Sequence, residues 1–237
     1  MTPAGKGSEA IKGDVAGQVA GMRRLVAEIE YLSGGRRAAE LSFGDERWDY
    51  RQGYDPNWAS DEWFLQFLSW GPWSSTENLW IGILREYRIG GPRIGRMSER
   101  TAARIIDKGI GRGRHGFQRT VRSYLVHLND TLRDASIGMR AYEGRVRRLG
   151  WRRGRDYLRE SCGVEEGSNA KVLDCWIRDR LRLFAFPVDS AVRSVVTDDA
   201  YGLSDDPCQL VDLTREVGRN PRLVARATWC LSDELID

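Results

Sequence analysis

The sequence contains no run of about 20 apolar residues, the length that a helix needs to cross a lipid bilayer, so no membrane partner is expected. Its opening, MTPAGKGSEAIKGDVAGQ, lacks the apolar segment of a secretory signal peptide. We therefore expect an intracellular protein, located in the cytoplasm and, if the host is a bacterium, associated with the nucleoid.

Cysteine and histidine are both scarce. The four cysteines show no C-x-x-C pair and no iron–sulfur spacing, and they are Cys162, Cys175, Cys208 and Cys230. Free thiols are expected for these residues. The two histidines, His115 and His127, have no companion cluster of ligands, so structural or surface roles are expected for them. The sequence thus gives no reason to expect a metal or a cofactor.

Alternating strand patterns are nearly absent, whereas helical periodicity recurs along most of the chain. In the stretch AGQVAGMRRLVAEIEYLSGG the apolar residues share one helical face, and they are Val19, Met22, Val26, Ile29 and Leu32. Ser60 and Ser98 are predicted N-caps of two later helices. We expect an all-α protein that is irregular over the first dozen residues and over residues 43–58.

Acidic and basic residues nearly balance, but they are unevenly distributed. The net charge of the chain is +3, whereas residues 99–160 carry +9, residues 1–98 carry −1 and residues 161–237 carry −5. A basic middle segment suggests a polyanionic partner, most simply nucleic acid. The alternative is an arginine-rich solvated surface without a partner.

Lysine is the rarer cation, because 33 of the 37 basic residues are arginine and the lysines are Lys6, Lys12, Lys108 and Lys171. Lys171 opens the predicted helix KVLDCWIRDRLRLF, with Ser168 or Asn169 as its N-cap. The positive end of the helix dipole disfavours an ammonium there, which favours a nucleophilic amine. The alternative is an exposed lysine at a helix start, paired with Asp174 at i+3.

The apolar stripe predicted for this helix comprises Val172, Leu173, Trp176, Ile177, Leu181 and Phe184, with Arg178, Asp179 and Arg182 largely off it.

The same stretch continues through an extended Pro187-Val188 to Asp189, which would cap the helix SAVRSVV. Eighteen residues separate Lys171 from Asp189, enough for one helix and a return of the chain to the same cleft. An amine and a carboxylate together suit a reaction in which a cation develops, because the carboxylate stabilises the cation while the amine attacks. The alternative is that Asp189 is only an N-cap.

The stretch GSNAKVLDC…FPVDSAVRSV, preceded by YLRESCGV, resembles the helix-hairpin-helix and Pro-Val-Asp segment of the DNA glycosylase superfamily. The resemblance is strongest to the bifunctional 8-oxoguanine DNA glycosylases and covers about residues 157–196. It implies that Lys171 attacks the sugar C1′, that Asp189 supports loss of the base, and that Cys175 lies beside the flipped base. It also implies that Trp229, in the last helix, stacks on that base, with a core tryptophan as the alternative.

The same resemblance implies that the partner is double-stranded DNA containing a damaged or modified base, bound by a protein expected to be a monomer. The implied DNA-binding residues lie in the hairpin and in an earlier Gly- and Arg-containing loop, and they are Gly163, Val164, Gly167, Ser168, Asn169, Arg112 and Arg114. The chain departs from the pattern at Glu165 and Glu166, which make the hairpin longer and acidic. Endonuclease III, another member of the superfamily that the stretch resembles, has an iron–sulfur cluster held by cysteines, and the cysteine spacing for that cluster is absent from this chain.

The expected architecture is two helical subdomains with the catalytic cleft between them. Residues 1–98 and 190–237 form one, and the basic residues 99–189 form the other, which contains the helix-hairpin-helix at about 157–184. The expected activity is that of a DNA glycosylase/AP lyase, with 8-oxoguanine favoured. The alternatives are a monofunctional glycosylase for alkylated or phage-modified bases, a helix-hairpin-helix DNA-binding protein without chemistry, and a general soluble helical protein.

Overall fold

The computed structural model describes residues 15–33, 59–68, 79–110, 115–165 and 170–234. Within these ranges it contains eleven α-helices and no strand, which confirms the all-α prediction. In chain order the helices are α1 (Val15–Ser33), α2 (Ser60–Leu68), α3 (Leu79–Arg88), α4 (Glu99–Ile110), α5 (His115–Asp134), α6 (Met139–Leu149), α7 (Trp151–Ser161), α8 (Lys171–Asp179), α9 (Ser190–Val196), α10 (Pro207–Glu216) and α11 (Pro221–Glu234).

The chain folds into two compact units. The terminal unit comprises Met1–Asp45 and Val188–Asp237, and the central unit comprises Glu46–Pro187. Residues 46–98, which the sequence analysis grouped with the two ends of the chain, belong to the central unit. The packing explains this membership, because Phe64 of α2 meets Trp176 of α8 edge to face, with ring centroids 5.5 Å apart.

The terminal unit is built from α1, α9, α10 and α11 around one apolar core. Met22, Val26 and Ile29 of the predicted α1 stripe are buried, as is Leu25. A Cβ at Gly21 would overlap the carbonyl of Tyr201, so α1 can approach the segment that follows α9 only because this position has no side chain.

Hydrogen bonds join α1 to the segment after α9, and another caps the start of α10. The Nε of Arg24 donates to the carbonyl of Ala200 at 2.7 Å, and the hydroxyl of Tyr201 donates to Glu28. The helix α10, which the sequence analysis did not single out, begins after Asp206, whose carboxylate accepts from the backbone N–H of Gln209 at 2.7 Å.

In the central unit, α3 and α4 cross where both helices have glycine. A Cβ on Gly82 would overlap the carbonyl of Gly109, and a Cβ on Gly109 would come within 2.5 Å of the Cα of Ile83. Gly154 likewise allows α7 to approach α6 closely, because a Cβ there would lie 2.6 Å from the carbonyl oxygen of Val146. Backbone contact at these crossings therefore depends on the missing side chains.

The start of α2 differs from the prediction that Ser60 is its N-cap. The N-cap position is Ala59, whose backbone N–H donates to Oε2 of Glu62 at 3.0 Å, and Ser60 is the first helical residue. The hydroxyl of Ser60 instead donates to Oε2 of Glu143 on α6 at 2.9 Å. At Ser98 the prediction is confirmed, since its hydroxyl accepts from the N–H of Thr101 at 3.2 Å.

Helix α8 is buried along almost its whole length, from Val172 to Asp179. The predicted single apolar stripe is therefore wrong at Arg178 and Asp179, which are buried side by side as an ion pair. The predicted helix also continued to Phe184, but α8 ends at Asp179, and Arg182 has a left-handed backbone with a φ of 59°.

Candidate functional site

The turn after α7 has the hydrogen bonds of a Schellman motif. The N–H of Gly163 donates to the carbonyl of Glu160 and the N–H of Val164 donates to the carbonyl of Arg159, both at 2.9 Å. Gly163 has a φ of 64°, which favours glycine. The hairpin glycine and valine of the sequence analysis thus form the end of α7, with Gly163 exposed and Val164 half-buried against the core.

Gly163 also lies directly against His127 of α5. A Cβ at Gly163 would come within 2.7 Å of the imidazole ring, whose Nδ1 donates to the carbonyl of Ser123 at 2.8 Å. This contact gives His127 a structural role and fixes the position of the turn. The other predicted hairpin residues, Gly167, Ser168 and Asn169, lie outside the described residues, as do Arg112 and Arg114.

Lys171 is the first residue of α8 and is partly exposed. The N-cap position before it is Ala170, not Ser168 or Asn169, and alanine offers no side-chain acceptor. The carbonyl of Ala170 accepts from the N–H groups of Leu173 and Asp174, which fixes the first turn. The backbone therefore holds Lys171 at the N-terminal end of α8 without a side-chain cap.

The carboxylate of Asp174 binds Arg155 of α7. The Nε of Arg155 donates to Oδ1 at 2.7 Å and its Nη2 donates to Oδ2 at 3.1 Å, and the side chain of Asp174 is only 1% exposed. A bidentate guanidinium matches a buried carboxylate better than one ammonium could. The charge of this carboxylate is thus compensated by α7, so that α7 and α8 are joined just beyond Lys171.

Two further buried carboxylates are bound in the same way near the other end of α8. Asp179 receives Nε and Nη2 of Arg178, both at 2.8 Å, and Glu143 receives Nε of Arg180 at 2.8 Å and Nη2 at 3.1 Å. Arg180 also lies over the ring of Trp63, with its guanidinium carbon 5.2 Å from the centroid. Arg180 therefore joins the end of α8 to α6 and α2, whereas Arg178 neutralises the carboxylate next to it in the chain.

Cys175 lies one turn beyond Lys171 on α8. Its side chain is buried, and burial, partly offset by Arg178, raises the pKa of the thiol to about 12. The group is therefore a neutral thiol within the core of the central unit. Its place beside a flipped base stays a prediction.

Asp189 lies in the terminal unit, and the predicted N-cap role is confirmed. Its backbone is extended, with a φ of −109° and a ψ of −171°, and Oδ1 accepts from the N–H of Val192 at 2.8 Å. Trp229, on α11 of the same unit, is half-buried. The meeting of Asp189 with Lys171 in one cleft and the stacking of Trp229 on a base stay predictions.

Three exposed arginines of the middle segment, Arg100, Arg119 and Arg133, lie on α4 and α5, and six more lie on two consecutive helices, α6 and α7. We call these six the arginine surface, and they are Arg140, Arg145, Arg147, Arg148, Arg152 and Arg153. Among the residues that the structure describes, the side chains of Arg140, Arg148 and Arg153 form no hydrogen bond and no ion pair. Their guanidinium groups are therefore available to an anionic partner.

No helix in the described part of the chain is long and apolar enough to span a membrane. Across the same ranges, no three side chains of His, Cys, Asp or Glu come together as a metal-binding group. Neither a family model, nor a curated protein, nor a solved structure matches the chain.

Proposed function

We propose that the protein is a DNA glycosylase/AP lyase that removes an oxidised or modified base, with 8-oxoguanine favoured, through a Schiff base on Lys171. The observation that carries the proposal is the position of Lys171, a partly exposed lysine at the first residue of α8, in a chain that has only four lysines. It follows α7 and its glycine turn in the order expected of a helix-hairpin-helix. In the same proposal, the terminal and central units correspond to two subdomains.

The chemistry assigns different parts to an amine and a carboxylate. Asp189 stabilises the positive charge that builds on the sugar as the glycosidic bond breaks and the base leaves. The deprotonated amine of Lys171 forms a bond to C1′, and the C1′–O4′ bond then opens to give an imine. β-Elimination from that imine removes a proton from C2′ and breaks the C3′–O bond, which cuts the strand on the 3′ side. The proposal requires both side chains to reach the same flipped nucleotide.

The arginine surface supplies the non-specific part of the proposed DNA binding. The guanidinium groups of Arg140, Arg148 and Arg153 suit phosphate oxygens, which accept bidentate hydrogen bonds. The acidic hairpin residue Glu165 is exposed beside the turn and would repel a phosphate placed there. We therefore assign most of the backbone contacts to the arginine surface and fewer to the hairpin.

The test is borohydride trapping of the purified chain on duplexes that carry 8-oxoguanine or an abasic site. We expect a covalent adduct with the wild type on both duplexes and none with Lys171→Gln, because the amide cannot form an imine. The matched control is Lys108→Gln, which changes an exposed lysine on α4 of the same unit and should leave trapping unchanged.

The outcomes separate the candidate functions. An adduct only on the abasic duplex supports the lyase and reopens the choice of base, and an adduct that persists in Lys171→Gln rules out this lysine. Base release without any adduct indicates a monofunctional glycosylase that relies on Asp189.

Duplex binding with neither base release nor adduct indicates a DNA-binding protein without chemistry. One observation favours this second candidate, because the hydrogen bond from Val192 to Oδ1 of Asp189 is sufficient for a purely structural N-cap.

A further inference from the structure

The central unit contains a cavity of about 880 Å³ that is not lined by Lys171. Its walls come from the first turn of α2, the segment before α4 and one face of α6, with Arg180 beyond the end of α8. A volume in this range suits a small molecule. All of the lining residues lie within one unit, so the cavity is a property of the central unit alone.

The inner wall of the cavity is acidic. Asp61 is 7% exposed, and its Oδ2 accepts from the hydroxyl of Tyr87 at 3.1 Å and from the N–H of Ile94 at 3.2 Å. Both bonds end on the same oxygen, so Oδ1 has capacity for a ligand that donates hydrogen bonds. Burial raises the pKa of the Asp61 carboxyl, and a donor bound to Oδ1 would favour the ionised form.

The second buried carboxylate has less spare capacity, because both of its oxygens already accept hydrogen bonds. Glu143, with a side chain that is 3% exposed, accepts from Arg180 on both oxygens and from Ser60 on Oε2. It therefore shapes the wall and balances Arg180. Asp61 is therefore the buried carboxylate of the cavity wall whose Oδ1 can accept a hydrogen bond from a ligand.

The rim of the cavity is basic. Arg93 and Arg140 are exposed residues that line the opening, and within the described ranges neither side chain forms a hydrogen bond or an ion pair. Burial raises the pKa of the nearby Asp61, and the charge of Arg93 partly offsets that rise. Arg147, also on the rim, donates to the carbonyl of Arg180 at 3.1 Å. Two unpaired guanidinium groups beside a cavity suit a phosphate, which accepts from both.

The segment that carries Arg93 is held in place from two sides. Ile94 donates its N–H to Asp61, and the next residue, Gly95, donates its N–H to Oδ1 of Asn129 on α5 at 2.8 Å. The amide of Asn129 also binds both backbone groups of Met97, at 2.9 and 3.0 Å. The backbone that carries Arg93 is thus fixed, which lowers part of the entropy cost of binding.

We propose that this cavity binds a nucleoside monophosphate, with the phosphate on Arg93 and Arg140 and an exocyclic amine of the base on Oδ1 of Asp61. The ligand combines the two features that the cavity offers to bind, an anion at the rim and hydrogen-bond donors inside. Carboxylates accept from exocyclic amines of bases in this way. The inference does not depend on the proposed lyase chemistry, because neither Lys171 nor Asp189 lines the cavity, although Arg140 also belongs to the arginine surface.

The test is calorimetric titration of the full chain with the four deoxynucleoside 5′-monophosphates, with inorganic phosphate and deoxyguanosine as the two halves of the ligand. We expect saturable binding of dGMP, dAMP and dCMP, and weaker binding of dTMP, which lacks an exocyclic amine. Each half alone should bind at least about tenfold more weakly, because one end of the cavity is then unfilled.

Three substitutions locate the ligand. Arg140→Ala should weaken dGMP binding about tenfold, and Asp61→Asn should weaken dGMP more than dTMP while leaving phosphate binding unchanged. Arg148→Ala is the matched control on the same helix, because Arg148 is exposed but does not line the cavity. Lys171→Gln should bind dGMP as the wild type does.

Several results would overturn the proposal: no saturable heat with any nucleotide, equal loss in Arg140→Ala and Arg148→Ala, or loss of dGMP binding in Lys171→Gln. A strand end presents the same chemistry, so oligonucleotides with and without a 5′-phosphate form the last arm. Tighter binding of the phosphorylated one, abolished by Arg140→Ala, would identify a strand end as the source of the ligand.

Discussion

The central unit uses arginine in two opposite ways. Beneath the surface, Arg155, Arg178 and Arg180 each bind a carboxylate through two nitrogen atoms, and those carboxylates are 1% to 3% exposed. On α6 and α7, by contrast, Arg148 and Arg153 are exposed and, within the described residues, unpaired. Only the second group is available to a partner.

This difference between paired and unpaired arginines changes how the net charge of a segment should be interpreted. Residues 99–160 carry a net charge of +9, but Arg155, one of the arginines counted there, lies 12% exposed against a buried aspartate of α8. Net charge over a segment therefore overstates the surface that can attract a polyanion. The arginine surface, defined by exposure, is the better measure of that attraction.

The largest expected effect comes from breaking a buried pair. Asp174→Ala leaves the guanidinium of Arg155 without its carboxylate, and we expect a loss of about 3 kcal/mol in the free energy of unfolding. Urea denaturation followed by circular dichroism measures this loss. Asp156→Ala, at an exposed acid on α7, is the control and should change little. A loss of less than about 1 kcal/mol for Asp174→Ala would contradict the structural role of the pair.

A smaller effect is expected where a neutral donor supports a buried pair. Ser60→Ala removes the hydroxyl that donates to Glu143, and the free energy of unfolding should fall by about 1.5 kcal/mol because the acceptor is charged. The same substitution in a Glu143→Gln background should cost less, since the acceptor is then neutral. An equal cost in both backgrounds would mean that Ser60 stabilises α2 without Glu143.

The smallest effect on stability is expected on the arginine surface. Arg148→Ala and Arg153→Ala should each change the free energy of unfolding by less than about 0.5 kcal/mol. Each should reduce the slope of log affinity against log salt for a DNA duplex by about one. Fluorescence anisotropy at several salt concentrations measures this slope, with Arg23→Ala on α1 as an exposed control that should leave it unchanged.

Helices whose signals are local could be predicted from the sequence. The spacing of Met22, Val26 and Ile29 predicted α1, and the N-cap roles of Ser98 and Asp189 followed from the residues beside them. In each case the physical cause lies within one or two turns of the chain, where periodicity and capping rules apply.

Features that depend on distant partners were missed. The apolar period of α8 continues past Asp179, but the helix ends there, and the guanidinium of the C-cap residue Arg180 binds Glu143, which lies 37 residues earlier. The same carboxylate draws Ser60 away from the N-cap role that its position suggested. Nothing local in the sequence indicates either contact.

The two candidate sites, Lys171 and the cavity, differ in the same way, because only the first has local signals in the sequence. Lys171 was found because lysine is rare and the residue opens a helix, which are both local signals. The cavity was not found, because Asp61 and Arg140 are far apart in the chain. The one available hint was Asp61 itself, an acid two residues before the largely apolar run WFLQFL.

The glycines at the helix crossings have a consequence for how related chains could be recognised. Gly82, Gly109 and Gly154 each face backbone atoms that leave no room for a Cβ, so substitution at these positions is blocked. A relative too divergent for overall similarity should still have glycine at these three places. That spaced triplet, read together with a lysine at the first residue of α8, would be a fingerprint of ancestry.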